Sequence, residues 1–219
     1  MERNIEVYYT SLYELAAALN SAGSPESILQ SIAEGVAKTM GAKGCSLMLL
    51  SPDRKVLLHT AAYGLSDWYV RKGPVSADRS ISEALGGRPV AVLEATQDDR
   101  IQYRTQAKRE GIASILSVPM MLREETIGVI RVYAAERCHF TLNDMYFVGA
   151  VANLGAIALE NSRLYQTIQK DYETFREEML EWRAALGHEW LAGETVTPAG
   201  EQPPFSIDEQ EDGLTISSS

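Results

Sequence analysis

Val151, Leu154, Ala158, Asn161, Tyr165, Ile168, Tyr172, Phe175, Met179, Trp182 and Leu186 follow one another at alternating spacings of 3 and 4 without a break. An α-helix puts such residues on one side, and the run makes an a/d seam of about five heptads. A helix packed only on its own domain accounts for the first half. It does not account for Tyr172, Phe175, Met179 and Trp182, because nothing globular follows them in the sequence. A stripe of that size is an association surface, so a homodimer through this helix is expected. Asn161, the lone polar member, fits the role of fixing register. A second stripe, Ile5, Tyr8, Leu12, Leu15 and Leu19, has the same spacing, and the two helices together suit a four-helix dimer bundle. The expected interface is Ile5, Tyr8, Leu12, Leu15, Leu154, Asn161, Tyr165, Ile168, Tyr172, Phe175, Met179 and Trp182.

Past Gly193 the character changes. The segment 193–219 holds Glu194, Glu201, Asp208, Glu209, Glu211 and Asp212 with no lysine or arginine, and three prolines. It reads as a disordered acidic tail, or as a docking peptide for a protein partner with Phe205, Ile207, Leu214 and Ile216 as anchors. The whole chain carries a net charge of −10, which argues against a nucleic-acid footprint. No secretory leader pattern opens the sequence. The longest mostly apolar stretch, Met145 to Leu159, is expected to be too short and too interrupted for a membrane span. A cytoplasmic protein without membrane insertion is expected.

Between these ends lies a layered pattern. Ser24-Pro25-Glu26 starts a helix with a hydroxyl N-cap and an N1 proline, carrying Ile28, Leu29, Ile32, Val36 and Met40 to a stop at Gly41. "CSLMLL" (45–50) and "KVLLHTAAY" (55–63) form a strand pair about the turn "SPDR". Ser80 with Glu83 fits a capping box. "RPVAVLEA" (88–95) is a short strand, and "QDDRIQYRTQAKREG" a polar helix with Gly111 as C-cap. "SVPMMLREETIGVIRVY" (117–133) reads as a hairpin whose first strand contains Pro119, expected at a free edge or bulge. Thr141 with Asp144 caps the last helix.

The run "GIASILSVPMMLREETIGVIRVYAAERCHFTLNDMYFVGAVANLGAIALENSRLY" (111–165) resembles the C-terminal half of a GAF domain, through its Ser-x-Leu-x-Val-Pro strand, Ile-Gly-Val-Ile strand, Phe-Thr helix start and Ala-Leu-Glu-Asn-x-Arg-Leu ending. "SILQSIAEGVAKTMGAKGCSLMLL", "SISEALGGRPVAV" and "DDR" agree more loosely. The resemblance spans about residues 10–166. It implies an α+β fold: an antiparallel sheet of five or six strands with terminal helices on one face and a loop-rich, pocket-forming segment on the other. It also implies a place in signalling, with ligands ranging from cyclic nucleotides, bilins and haem to amino acids and keto acids, or no ligand at all.

Enzymatic and cofactor-bearing branches of that resemblance find little support. Free methionine-(R)-sulfoxide reductases need a thiolate and a resolving thiol in the pocket, whereas Val75 to Gly111 contains no cysteine. Cys45 and Cys138 lie outside that segment. The same absence removes a thioether bilin attachment there, and no P-loop, G-x-S-x-G or H-E-x-x-H occurs. His59 reads as a core or edge histidine before a haem ligand, and His139 as a loop residue. His188 in "AALGHEW" resembles a histidine-kinase phosphoacceptor segment, without the Arg-x-Pro that normally follows. No cofactor, metal or catalytic residue is expected.

Strand alternation locates the pocket face. Ile127, Val129, Arg131 and Tyr133 share one side, while Gly128, Ile130 and Val132 share the other. A buried arginine requires a carboxylate, an anionic ligand or water. Arg131 therefore either pairs with Glu94, Asp98 or Asp99, or binds a small anion or carboxylate. Ser117, whose register is open, Tyr133, Tyr103, Arg104 and Arg109 could complete such a site.

The expected organisation is a dimerisation helix (1–22), a GAF-like domain (23–166), a coiled-coil extension (167–192) and the acidic tail (193–219). The expected function is a non-enzymatic small-molecule sensor that homodimerises. The alternatives are a ligand-free adaptor recruiting a partner through its coiled coil or tail and, behind it, a redox enzyme.

Overall fold

The computed structural model describes residues 5–21, 24–77 and 82–192. Ser80 of the expected capping box, the tail 193–219, and the side chains of Leu186 and His188 lie outside the described residues. The chain divides into two compact units, Met1–Lys170 and Asp171–Ser219.

Elements of the first unit follow sequence-local logic. Helix α1 covers Ile5–Ser21 and α2 covers Pro25–Thr39. Ser24 caps α2: its Oγ accepts from Ser27 N–H at 3.2 Å, while Ser27 Oγ accepts from Ser24 N–H at 3.2 Å, so the pair satisfies two amides at the helix start. Strands β1 (Gly44–Leu50) and β2 (Val56–Tyr63) form a hairpin, followed by the one-turn helix α3 (Asp67–Val70) and the short strand β3 (Val75–Ser76). Helix α4 (Ser82–Leu85), strand β4 (Val90–Val92) and helix α5 (Arg104–Glu110) lead to the long strands β5 (Ser114–Leu122) and β6 (Glu125–Ala134). Gly111 ends α5 in the left-handed region, φ +72°, where a side chain would be strained. Helix α6 begins at Leu142 and is assigned to Ala192; Thr141 and Asp144 exchange backbone-to-side-chain hydrogen bonds at its start.

The strands form one six-stranded antiparallel sheet in the order β3-β2-β1-β6-β5-β4. Each face carries its own core. On one, Cys45, Leu47, Leu116, Val118, Ile130 and Val132 pack with α1, α2 and the first part of α6. On the other, Met48, Leu57, Ile115, Val129 and Tyr133 pack with α3, α4, α5 and the loops between them. Pro119 lies beyond the end of β4, whose pairing with β5 stops at Ser117. Its missing N–H therefore costs no bond to that neighbour.

Gly128 lets β1 and β6 sit this close. A Cβ there would stand 2.5 Å from the Met48 carbonyl oxygen. That oxygen belongs to the backbone of a central strand and cannot swing away. Gly128→Ala is expected to cost about 3 kcal/mol, read from the midpoint shift in urea denaturation at unchanged slope.

Two of the expected interface residues turn inward. Tyr8 and Leu15 are 5% and 8% exposed. Tyr8 stacks on Phe147 with ring centroids 4.6 Å apart and donates its hydroxyl hydrogen to Asp144. Leu15 lies so close to Gly35 that a Cβ at Gly35 would meet it at 2.3 Å. Their apolar surface is spent within the protomer, which corrects their assignment to a contact between copies. Ile5 is 47% exposed and Leu12 half-buried. Over Leu142–Ala184, α6 is long and apolar enough by composition to cross a bilayer, contrary to expectation, with 44% of its most apolar stretch buried inside the protein. Val148, Val151 and Ala152 are buried there, within the core beneath the sheet.

Candidate functional site

Arg131 occupies the middle of the sheet. β6 lies between β1 and β5, and the register sets Arg131 opposite Ser46 on one side and Ser117 on the other. The residue is 4% exposed. Its Nε–H donates to Ser117 Oγ at 3.1 Å. Tyr133, two residues on and on the same face, shares a hydrogen bond of 2.9 Å with Ser46 Oγ. Arg131, Ser117 and Tyr133 are thus brought together as alternation and register require.

Ile127 departs from the expected face. Met120 pairs with Gly128 and Met121 with Thr126, leaving Ile127 as the extra residue of a bulge. A bulge resets the two-residue alternation, and Ile127 packs with the helix-side core.

A second irregularity brings a histidine into the site. Leu47 pairs with Ala61 and Met48 with His59, so Thr60 is skipped. Ala61 consequently joins the helix-side core, while His59 sits two residues from Leu57, which belongs to the opposite one. His59 Nε2 lies 3.0 Å from Lys72 Nζ. Lys72 follows α3; its ammonium donates to the Tyr69 carbonyl oxygen at 3.0 Å and stands 3.8 Å from the Tyr69 ring centroid. Tyr69 is buried and meets Tyr133 edge-on, centroids 5.9 Å apart at 88°. The α3 turn is tied to α5 through Glu110, which accepts from Ser66 N–H at 2.9 Å and from the Ser66 hydroxyl. The Arg109 guanidinium also lies 4.4 Å from the Trp68 ring centroid.

The electrostatics follow from gathering bases in little water. Burial, then the Arg131 charge, lowers Lys72 to about 7 against a smaller opposing pull from Glu110. Burial, then Lys72 and Arg131, lowers His59 to about 3. Burial raises the Tyr69 and Tyr133 hydroxyls, against an opposing pull from Arg131. Between about pH 7 and the ordinary lysine range, the unfolded chain holds a proton that the folded chain does not. Raising pH through that window therefore stabilises the fold through Lys72. Lys72→Met is expected to remove that slope from a plot of melting temperature against pH.

The remaining expected site residues lie at the edge or outside. Tyr103 donates its hydroxyl to the Pro74 carbonyl at 2.9 Å, with its ring centroid 5.7 Å from Lys72 Nζ, a rim position. Arg104 starts α5, where it pairs with Asp99 and donates to the Gln97 carbonyl; it does not join Arg131. The three acids considered as partners for Arg131 face other cations: Glu94 pairs with Arg137, Asp98 with Arg100 and Asp99 with Arg104. Cys45 is buried in the helix-side core, with its thiol pushed far up by burial.

Comparison with known proteins agrees with this fold. A GAF domain family profile matches residues 22–160. No curated protein sequence matches. Among solved structures, the GAF domain of a phosphoenolpyruvate-protein phosphotransferase from Coxiella burnetii is 18% identical, with a TM-score of 0.68 over 75% of this chain and 99% of that one. The free methionine-R-sulfoxide reductase of Neisseria meningitidis, solved with its substrate, is 17% identical, with a TM-score of 0.63 over 75% and 95%. A segment of a methyl-accepting chemotaxis protein is 16% identical, with a TM-score of 0.58 over 69% and 98%. The chain belongs to the GAF domain family, a family of sensory and signalling folds.

Proposed function

We propose that this chain is a non-enzymatic GAF sensor that binds a small anion or carboxylate beside Arg131 and homodimerises through its terminal helices. One observation carries the ligand: Lys72, set over the Tyr69 ring, contacts His59, and the charge of Arg131 on the same side of the sheet is felt by both. The Arg131 guanidinium and the Lys72 side chain, with the Ser46, Ser117 and Tyr133 hydroxyls beside Arg131, offer donors of the kind that suit a small anion or carboxylate. Bound ligand would favour one packing of the helices over another and so shift a population. The buried, protonated state of Cys45 supports a role without thiolate chemistry. The test is thermal denaturation of the full chain against acetate, succinate, sulfate and phosphate. At least one is expected to raise the melting temperature saturably beyond a chloride control of equal ionic strength; no response to any of them would overturn the ligand assignment.

Dimerisation draws support from surface left outside the core. Tyr165, Ile168, Tyr172, Phe175, Met179 and Trp182 are 68%, 66%, 65%, 59%, 41% and 61% exposed, and Asn161 is exposed among them. At the other end, Ile5, Tyr8, Tyr9, Leu12, Tyr146 and Phe147 line an apolar groove of about 240 Å³ between α1 and the start of α6. With Tyr8 turned inward, Tyr9, Tyr13 and Tyr146, each more than two-thirds exposed, take its place on the surface available to a second copy. The same stripe favours the second reading, a ligand-free adaptor, if the anion test fails.

A further inference from the structure

Helix α6 carries charges placed as deliberately as its apolar stripe. Val151 is fully buried and Ala158 packs against the helix-side core, so the early part of the seam is covered by its own protomer. From Asn161 to Trp182 the members of the seam are exposed, and a coiled coil between copies has its first layer at Asn161. Tyr165, Tyr172 and Met179 then occupy a positions, and Ile168, Phe175 and Trp182 occupy d positions. This assignment fixes what flanks the seam. The g positions of the last layers are Asp171 and Glu178, and the e positions are Arg176 and Arg183. All four are exposed, and the ion pairs of the described residues involve none of them. One flank is acidic and the other basic.

That division selects an orientation. Parallel helices in register bring each g position against the e position five residues further along the second copy, whereas antiparallel helices bring g against g and e against e. The parallel arrangement sets Asp171 against Arg176 and Glu178 against Arg183 of the second copy, each twice by symmetry. The antiparallel one sets acids against acids and bases against bases. Asn161 points the same way. In register it meets its own counterpart, and two amides can exchange hydrogen bonds. In any other register the lone polar member of the seam faces an apolar residue or falls outside, at the cost of an unmade bond.

We propose that a second copy docks on α6 in parallel and in register from Asn161 onward, its orientation set by ion pairs between copies joining Asp171 to Arg176 and Glu178 to Arg183. This rests on the homodimer reading above and adds the geometry and selectivity of that interface. Each flank is complementary to the opposite flank of the same sequence, which favours a second copy over an unrelated helix. A single exposed pair is weak, but symmetry makes four, and charge reversal turns each attraction into a repulsion. Asp171→Arg with Glu178→Arg makes both flanks basic and is expected to raise the dimer dissociation constant about tenfold or more. Adding Arg176→Asp and Arg183→Glu exchanges the two flanks and is expected to restore it.

The test is sedimentation equilibrium of the full chain, as wild type, double and quadruple variants, at low salt where surface charge is least screened. Weakening in the double variant and recovery in the quadruple support the proposal. A double variant that dimerises as tightly as the wild type, or a quadruple variant no tighter than the double, overturns the charge-set orientation and leaves the dimer standing. A wild type that stays monomeric overturns both. Cross-linking reads the register separately. Tyr172→Cys and Met179→Cys are made singly in a Cys138→Ser background, where the remaining Cys45 is buried. In a glutathione redox buffer each is expected to form a disulfide between copies. Cross-linking at one of the two positions but not the other marks an antiparallel or staggered seam and overturns the proposal.

Discussion

Arg131→Met is expected to abolish the stabilisation that small anions give the wild-type chain while leaving the protein folded. Methionine matches much of the arginine stem and suits irregular interiors. Arg131 also shares its strand face with Val129 and Tyr133 of an apolar layer, so the apolar stem is accommodated, while Ser117 loses a donor and the melting temperature is expected to fall without loss of the fold. What is lost is the fixed cation at the centre of the site. A charge-assisted bond to an anion is worth about 1.5–3 kcal/mol, so affinity should fall by at least about tenfold. A second consequence separates this from general damage. Arg131 holds both His59 and Lys72 down, so in the variant the Lys72 midpoint should rise while the fold persists. A variant that binds anions as well as the wild type would remove Arg131 from the site.

The second large effect concerns assembly. Tyr172→Glu with Phe175→Glu places two carboxylates per protomer on the exposed seam, at positions 65% and 59% exposed. Neither residue is needed by the protomer's core, so thermal stability should change little. In a dimer built on this seam, each copy would lose two large apolar contacts, worth about 1.5–3 kcal/mol each when fully buried, and gain like charges opposite one another. The dimer dissociation constant should rise by more than about a hundredfold. Sedimentation velocity at tens of micromolar is expected to show a wild-type dimer and a monomeric variant; a monomeric wild type would contradict the assembly.

Much of the framework was legible because its signals are local. Ser24 with Pro25 marks a helix start, Gly111 marks a stop, and the hairpin strands flank a charged tip; each signal resides in a few neighbouring residues and survives into the fold. Alternation assigned Val129, Arg131 and Tyr133 to one face because no bulge falls between them. It failed for Ile127, one residue from a register shift, and it could not reveal His59, whose orientation depends on the skipped Thr60. Lys72 escaped notice for a different reason. It follows a single helical turn, where no period exists to say which way a side chain points.

The α1 stripe shows a further limit. Spacings of 3 and 4 identify an apolar face but not what covers it. Tyr8 and Leu15 turned inward onto Phe147 and Gly35, leaving Tyr9 and Tyr13 outside. Arg104 was drawn into the site by its charge alone; its helix gives only Ala107 to the core, too little for a face to be read.

The most direct test of the account follows the Nε–H resonance of Arg131 by NMR during titration with sulfate or acetate at pH 6.5. A saturable shift is predicted, with the same midpoint as the thermal stabilisation and absent on exposed arginines such as Arg176. An Arg131 resonance that stays fixed while the protein is stabilised, or that moves only in parallel with the exposed arginines, would contradict an anion site at the centre of the sheet.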